Sequence, residues 1–182
     1  MKSLLFILFA VGCMLTAKSQ SLTYKTFKID FQLGYTFSEH QNTGAGASFT
    51  VEPHYSLNDA FAIGLRLEDE GQAYVSGDHF YNLKLSWLSS YCATGEYYLS
   101  NSGIRFFVGG GLGFFTRTSL NYFTSETDVP TATLPSLNTL GLFPEAGFEF
   151  KHFRLSADYD ITANSSSYLA FKAGFFFGGG HK

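Results

Sequence analysis

The side chains able to do chemistry in this sequence are scattered. The five histidines are His40, His54, His79, His152 and His181. No two stand at metal-ligand spacing such as HExxH, so no metal centre is expected. A serine nucleophile needs a base within hydrogen-bond reach and a third group to orient that base. His40 beside Glu39, and His79 near Asp78 and Ser76, supply those residue types, but nothing in the sequence makes them converge. Gly109-Gly110-Gly111-Leu112-Gly113 has the glycines of a phosphate loop without the Lys-Ser/Thr that completes one. It also sits inside an alternating apolar run, where glycine marks a bend or a confined space. Asn164-Ser165-Ser166 has the form of a glycosylation sequon and reads as polar loop. The expectation is no catalytic residue, no cofactor and no metal.

One larger set of reactive groups is organised. Fourteen charged residues fall within alternating segments: Lys28, Asp30, Glu52, Arg66, Glu68, Lys84, Glu96, Arg105, Glu145, Glu149, Arg154, Asp158, Asp160 and Lys172. Six are positive and eight negative, so the set can largely neutralise itself. His54, beside Glu52, joins the same face. A charged interior of this kind reads either as a proton or ion path or as a filled and satisfied core, and the second reading is preferred because buried charges must be paired and hydrogen-bonded.

The elements that carry these residues are strands, because period 2 dominates and no later segment has a clean period of 3.6. Lys28–Phe37 places Ile29, Phe31, Leu33, Tyr35 and Phe37 against Lys28, Asp30, Gln32, Gly34 and Thr36. The same alternation runs through Ala45–Tyr55, from Phe61 to Glu68, from Tyr81 to Leu99, from Ile104 to Phe114, from Leu140 to Glu149, from Phe153 to Ile161 and from Leu169 to Gly178. That makes eight strands. The stretch from Tyr81 to Leu99 is long for one strand and requires a bulge or an extension beyond a membrane. Short turns (Ser56–Asp59, Ser100–Gly103, Lys151-His152) alternate with long loops (Ser38–Gly44, Asp69–Asp78, Ser119–Ser136, Thr162–Ser167). This is the pattern of an up-and-down, antiparallel outer-membrane barrel. With eight strands, both termini lie on the short-turn, periplasmic side.

Alternation alone also fits a soluble, lipocalin-like barrel with its apolar face inside. The charges decide between the two. In every strand they share parity with Gly, Ser and Thr, never with the main aromatic set. A narrow eight-stranded barrel has room inside for small residues and paired charges, not for rows of Phe, Leu and Tyr. A Lys or Arg on the lipid face costs about 2–4 kcal/mol at the midplane. Aromatics gather at strand ends as two girdles. Tyr24, Phe27, Tyr55, Phe61, Tyr97, Phe150 and Phe153 belong to the short-turn side; Tyr35, Phe37, Tyr81, Phe114, Tyr159 and Tyr168 belong to the long-loop side. Leu88, Phe107, Phe115, Phe143 and Phe176 break the pattern and fall inward, where they either plug the lumen or mark a shifted register.

Composition agrees. The 182 residues include 18 % aromatics and only 15 % charged residues, where soluble chains average roughly 25 %. Disordered and coiled-coil chains are excluded, and a net charge of −3 gives no basic patch for nucleic acid. Residues 1–19 read as a Sec signal peptide: Lys2, the apolar run Leu4–Leu15, then Ala17 and Ser19 as small residues before a cut after Ser19. The run is too short to span as a helix. Cys13 lacks the lipobox leucine three residues before it, and its loss with the signal leaves Cys92 alone, without a disulfide. Residues 20–182 then form one domain, expected as a monomer.

Several stretches resemble a known family: Val51-Glu52-Pro53-His54-Tyr55 leading through Leu57-Asn58-Asp59 into Phe61-Ala62-Ile63-Gly64; Glu96-Tyr97-Tyr98-Leu99; Phe106 to Phe114; and Lys172-Ala173-Gly174-Phe175-Phe176-Phe177. They resemble the small outer-membrane β-barrel domain common in Bacteroidota, related in architecture to OmpA- and OmpX-like barrels. The resemblance covers the whole mature chain and carries fold and location rather than activity. It implies insertion by the barrel-assembly machinery and contact with outer-membrane lipids and lipopolysaccharide. Gly178–Lys182 follows the last Phe, a departure from the usual terminal signal. No OmpA-like peptidoglycan-binding domain follows, so a cell-wall tether is not expected. The reading is a non-enzymatic structural or surface-interaction protein. A narrow channel, from the charged lumen, and a lipid A-modifying enzyme, from the rim His and Ser, are the alternatives.

Overall fold

Eight strands close on themselves in sequence order. They are β1 (Phe27–Ser38), β2 (Ala45–Ser56), β3 (Phe61–Val75), β4 (Asn82–Tyr98), β5 (Ile104–Phe123), β6 (Leu137–Phe150), β7 (Phe153–Thr162) and β8 (Tyr168–Gly178). Every neighbouring pair is antiparallel, and β8 returns to β1 through Lys28↔Gly178 to Ser38↔Tyr168. The computed structural model describes residues 23–38, 45–75, 82–100, 103–123, 137–163 and 167–179. The proposed leader, His40, His79 and their neighbours, Tyr81, and the Asn164 sequon lie outside the described residues.

Register is constant along each described ladder, so no bulge interrupts the wall. The length of β4 is therefore extension. A membrane strand needs about 9–11 residues, and β7 and β8, at 10 and 11, are close to that. β3, β4 and β5, at 15, 17 and 20, overrun it. Here the sequence boundaries need correction. Residues read as the start of long loops, Asp69–Val75 and Ser119–Phe123, continue β3 and β5.

The alternation sorts side chains as a closed wall requires. Leu33, Leu65, Leu112, Leu140 and Phe177 project outward, each about 60–70 % exposed, whereas Lys28, Asp30, Arg66, Glu96 and Arg154 point inward and are at most 3 % exposed. The five residues that broke the apolar pattern are all buried inside, in an unshifted register. Glycines make room for three of them. A Cβ on Gly111 would meet the Phe143 ring at 2.7 Å, one on Gly141 the Phe115 ring at 2.6 Å, and one on Gly147 the Phe107 ring at 2.7 Å. Two girdle assignments are corrected. Tyr24 and Tyr168 are 7 % and 1 % exposed and belong to the interior, because each shares parity with inward residues or lies across the barrel mouth.

The turns are tight at one end. Asn58 Oδ1 accepts from the backbone N–H groups of Ala60 (2.9 Å) and Phe61 (2.7 Å), fixing the β2–β3 turn. Gly103 supplies the positive φ of the β4–β5 turn, and Lys151 adopts φ 57° in the two-residue β6–β7 turn.

Candidate functional site

The inward strand residues meet in two ion-paired clusters stacked along the barrel axis. The first fills the short-turn half around Arg154, on β7. Its guanidinium lies 3.2 Å from Asp30 (β1), 2.5 Å from Glu96 (β4), and 3.0 Å from both Glu145 and Glu149 (β6). Lys28 Nζ adds contacts to Glu149 (2.5 Å), Asp30 (3.1 Å) and Glu96 (3.7 Å). His54 faces carboxylates with both ring nitrogens: Nε2 stands 2.9 Å from Asp30 and 3.6 Å from Glu52, and Nδ1 stands 3.6 Å from Glu96. The Tyr98 hydroxyl sits between Glu96 (2.7 Å) and Glu149 (3.1 Å) and accepts from Lys28 at 2.9 Å.

A cap closes this half at the turn end. Arg105 donates to the Asp59 carbonyl at 3.1 Å and stands 3.7 Å from Glu149. Its guanidinium is sandwiched between the rings of Tyr98 (3.8 Å) and Tyr24 (3.9 Å). Tyr24 is brought there by a strap, Thr23–Thr26. The Thr23 N–H donates to both Asp59 carboxylate oxygens (2.9 and 3.1 Å), and the Tyr24 N–H to one of them (3.3 Å). Burial would raise the Asp59 carboxyl, but these N–H donors and the Arg105 charge hold it below its ordinary value.

The second cluster fills the long-loop half around Arg66, on β3. Arg66 lies 3.1 Å from Asp158, 3.3 Å from Glu68, and in close contact with Asp160. Lys172, on β8, shares two of those partners, Glu68 (2.6 Å) and Asp158 (3.0 Å). Above them Gln72 donates to Glu70 at 2.7 Å, and the Tyr168 hydroxyl lies 3.5 Å from Glu68. Ser156 donates to Gln32 at 3.1 Å, on positions between the two clusters. Each central guanidinium rests on a phenylalanine: Arg154 on Phe107 (3.9 Å) and Arg66 on Phe143 (3.4 Å).

Thirteen of the fourteen charged lumen residues singled out in the sequence are brought into these contacts. The exception is Lys84, which pairs with Tyr74 and Asn121 on the backbone ladders and whose side chain lies outside the described set. Sequence reading missed Tyr24, Glu70, Gln72, Tyr98, Arg117 and Tyr168. Parity held the signal for Glu70 and Gln72, which continue the Glu68 row, for Tyr98, which follows Glu96, and for Tyr168, which precedes Lys172. Arg117 Nε donates to Ser86 at 3.0 Å, beyond the point where the β5 pattern had been read.

Among the described residues, three groups hold metal-ligand atoms within 4.8 Å of one another: Asp30-His54-Glu96, Glu52-Glu96-Glu145 and Glu68-Asp158-Asp160. In each, a resident Lys or Arg already bridges two of the carboxylates. A divalent ion would have to displace that cation.

No protein-family model matches the sequence, and no curated protein does. Solved structures match in shape. The crystal structure of Neisserial surface protein A superposes with TM-score 0.57 at 13 % identity, covering 84 % of this chain and 97 % of that one. The outer membrane protein OprG from Pseudomonas aeruginosa gives 0.53 at 12 % identity, covering 86 % and 98 %. Ail, the attachment invasion locus protein of Yersinia pestis, in complex with the heparin analogue sucrose octasulfate, gives 0.52 at 13 % identity, covering 86 % and 99 %. At these identities the likeness is one of fold: the chain is a closed, eight-stranded, all-antiparallel barrel of the kind found among small outer-membrane proteins.

Proposed function

We propose that this chain is an integral outer-membrane barrel whose lumen is a structural brace and whose long-loop end is displayed for surface interaction. The outward wall supports the location. It exposes Leu, Phe, Tyr and Ile from every strand, far more contiguous apolar area than a soluble monomer leaves uncovered. Apart from Asp69, which faces outward at the long-loop end of β3, the charged strand side chains described above point inward, where a bilayer requires them. In this reading the leader directs Sec export, both termini face the periplasm, and the barrel-assembly machinery inserts the wall among outer-membrane lipids and lipopolysaccharide as a monomer. Two ion-paired clusters seated on inward phenylalanines make a filled core, which disfavours a conduit.

The observation that carries display is a three-stranded fin. The β3–β4 ladder continues to Val75↔Leu83 and β4–β5 to Asn82↔Phe123. Among the described residues, β2 stops pairing with β3 at Gly46↔Gln72, and β6 with β5 at Arg117↔Leu137. β5 thus runs six residues past its β6 partner, about 20 Å of strand. A ladder edge of this kind offers backbone donors and acceptors to an added strand.

The test uses cells carrying the full chain with Thr118→Cys in the fin or Lys151→Cys in the turn. A membrane-impermeant maleimide should label the first on intact cells and the second only after permeabilisation; Cys92 is buried. Labelling in the opposite sense overturns the orientation. A heat-modifiable band in the outer-membrane fraction is expected, and stepwise conductance in planar bilayers would replace the brace with a channel.

A further inference from the structure

The outer wall is uneven. On most strands the outward residues are exposed, but on β7 the outward Phe153, Leu155, Ala157 and Tyr159 are only half-exposed. Register gives the reason. One row of neighbours across the wall runs Tyr35, Phe171, Ala157, Ala146; the next row toward the turn end runs Leu33, Ala173, Leu155, Phe148. Ala157 of β7 and Ala146 of β6 are paired in one row, and Ala173 of β8 lies one row nearer the turn end, with large side chains on either side. The result is a shallow trench of about 590 Å³ with an overwhelmingly apolar lining, within the size range of ligand sites.

We propose that this trench is a seat for one acyl chain of a membrane lipid. The inference rests on the membrane location proposed above. The trench lies in the middle of the wall, between the aromatic row Phe31, Phe175, Phe153 and Phe150 below and Phe37, Leu169 and Tyr159 above, so at that depth its surroundings are hydrocarbon. Its shape selects the occupant. The floor is methyl groups, so a thin flexible chain can lie along it and gain dispersion contacts on both sides. A second copy of the barrel would bring a convex wall against rims made by Phe171 and Phe148, leaving the floor uncovered. The outward side chains that line the trench carry no charge, so recognition is of the hydrocarbon and not of a particular lipid class.

The test reconstitutes the full barrel into dimyristoylphosphatidylcholine vesicles containing phosphatidylcholine spin-labelled on its acyl chain. The readout is the motionally restricted component of the electron spin resonance spectrum. Ala157→Phe and, separately, Ala146→Leu should fill the trench and reduce that component. Ala93→Phe, on the opposite wall between Leu65 and Leu112, should leave it unchanged. Heat-modifiability reports folding for each variant. Equal restricted components in all folded variants would overturn the trench proposal while leaving the location standing. Failure of the wild-type chain to insert into vesicles would overturn the location itself, and the trench with it. A loss of signal accompanied by a change from dimer to monomer would replace the lipid with a second copy.

Discussion

In the short-turn half of the lumen one guanidinium, Arg154, is ringed by four carboxylates drawn from β1, β4 and β6. In the long-loop half, Arg66 meets three carboxylates from β3 and β7, and Lys172 of β8 shares two of them. In the first cluster Arg154 gathers four carboxylates, three of which Lys28 also meets; in the second Arg66 gathers three, two of which Lys172 shares. The first also carries a cap, with Arg105 between Tyr24 and Tyr98, whereas the second opens toward the fin. A lumen can be ion-paired along its length and still be unequal in how it fails. Burial makes a paired charge roughly neutral to stability but makes an orphaned one expensive.

The largest effect is therefore expected from Arg154→Met. It leaves Asp30, Glu96, Glu145 and Glu149 with Lys28 and Arg105 as their remaining strong cations. A destabilisation of about 3–5 kcal/mol is expected, read as a fall in the urea midpoint of the heat-modifiable band. Arg66→Met should cost less, near the lower end of that range at about 3 kcal/mol, because it removes contacts to three carboxylates rather than four. If Arg66→Met proves the more damaging, the two halves do not differ in the way described. A double variant lacking both Arg66 and Lys172 should then match or exceed Arg154→Met in the same assay.

The phenylalanine seats sharpen the comparison. Phe143→Leu should cost roughly 1–2 kcal/mol through a lost cation–π contact and a small cavity. Phe107→Leu should cost less, since Arg154 stays fixed by four carboxylates. Comparable urea midpoints for the two would show that the rings act as filler alone.

The smallest effect concerns the cap. The Asp59 carboxyl is held below its unfolded value, so its contribution is complete above the unfolded pKa near 4 and is lost as pH falls through the folded value. The Thr23 and Tyr24 amide protons should lose protection and shift together when pH is lowered from 6 to 3, as followed by NMR in detergent micelles. In Asp59→Asn they should be weakly protected and flat across the same range. A titration unchanged by Asp59→Asn would remove this carboxylate from the strap.

Particular residues show how much could be read beforehand. Parity along β1, β2, β7 and β8 told which side chains share a face, since a side chain in a strand has only two directions. It also flagged Leu88, Phe107, Phe115, Phe143 and Phe176 as misplaced without saying what allowed them. The answer for three of them is a glycine on a neighbouring strand, and neighbours across a wall depend on register. The ends of β3 and β5 were hidden because Glu70, Gln72 and Arg117 are as polar as a loop. They are inward strand residues only because β4 continues beside them. Tyr24 looked like a girdle residue until Asp59, thirty-five positions away, was seen to hold its N–H.

The sequence by itself determined that there are eight strands, which face of each is charged, and that short turns alternate with long loops. These are local facts, set by a two-residue period and by turn residues. Only the closed structure decided that Arg154 of β7 would meet Glu96 of β4, that Arg66 of β3 would meet Asp158 and Asp160 of β7, and that three alanines would fall together on the outer wall. Each of those depends on the stagger between strands and on the curvature that brings opposite walls within reach of a side chain. Closure fixes both for all eight strands at once, and no single segment encodes it.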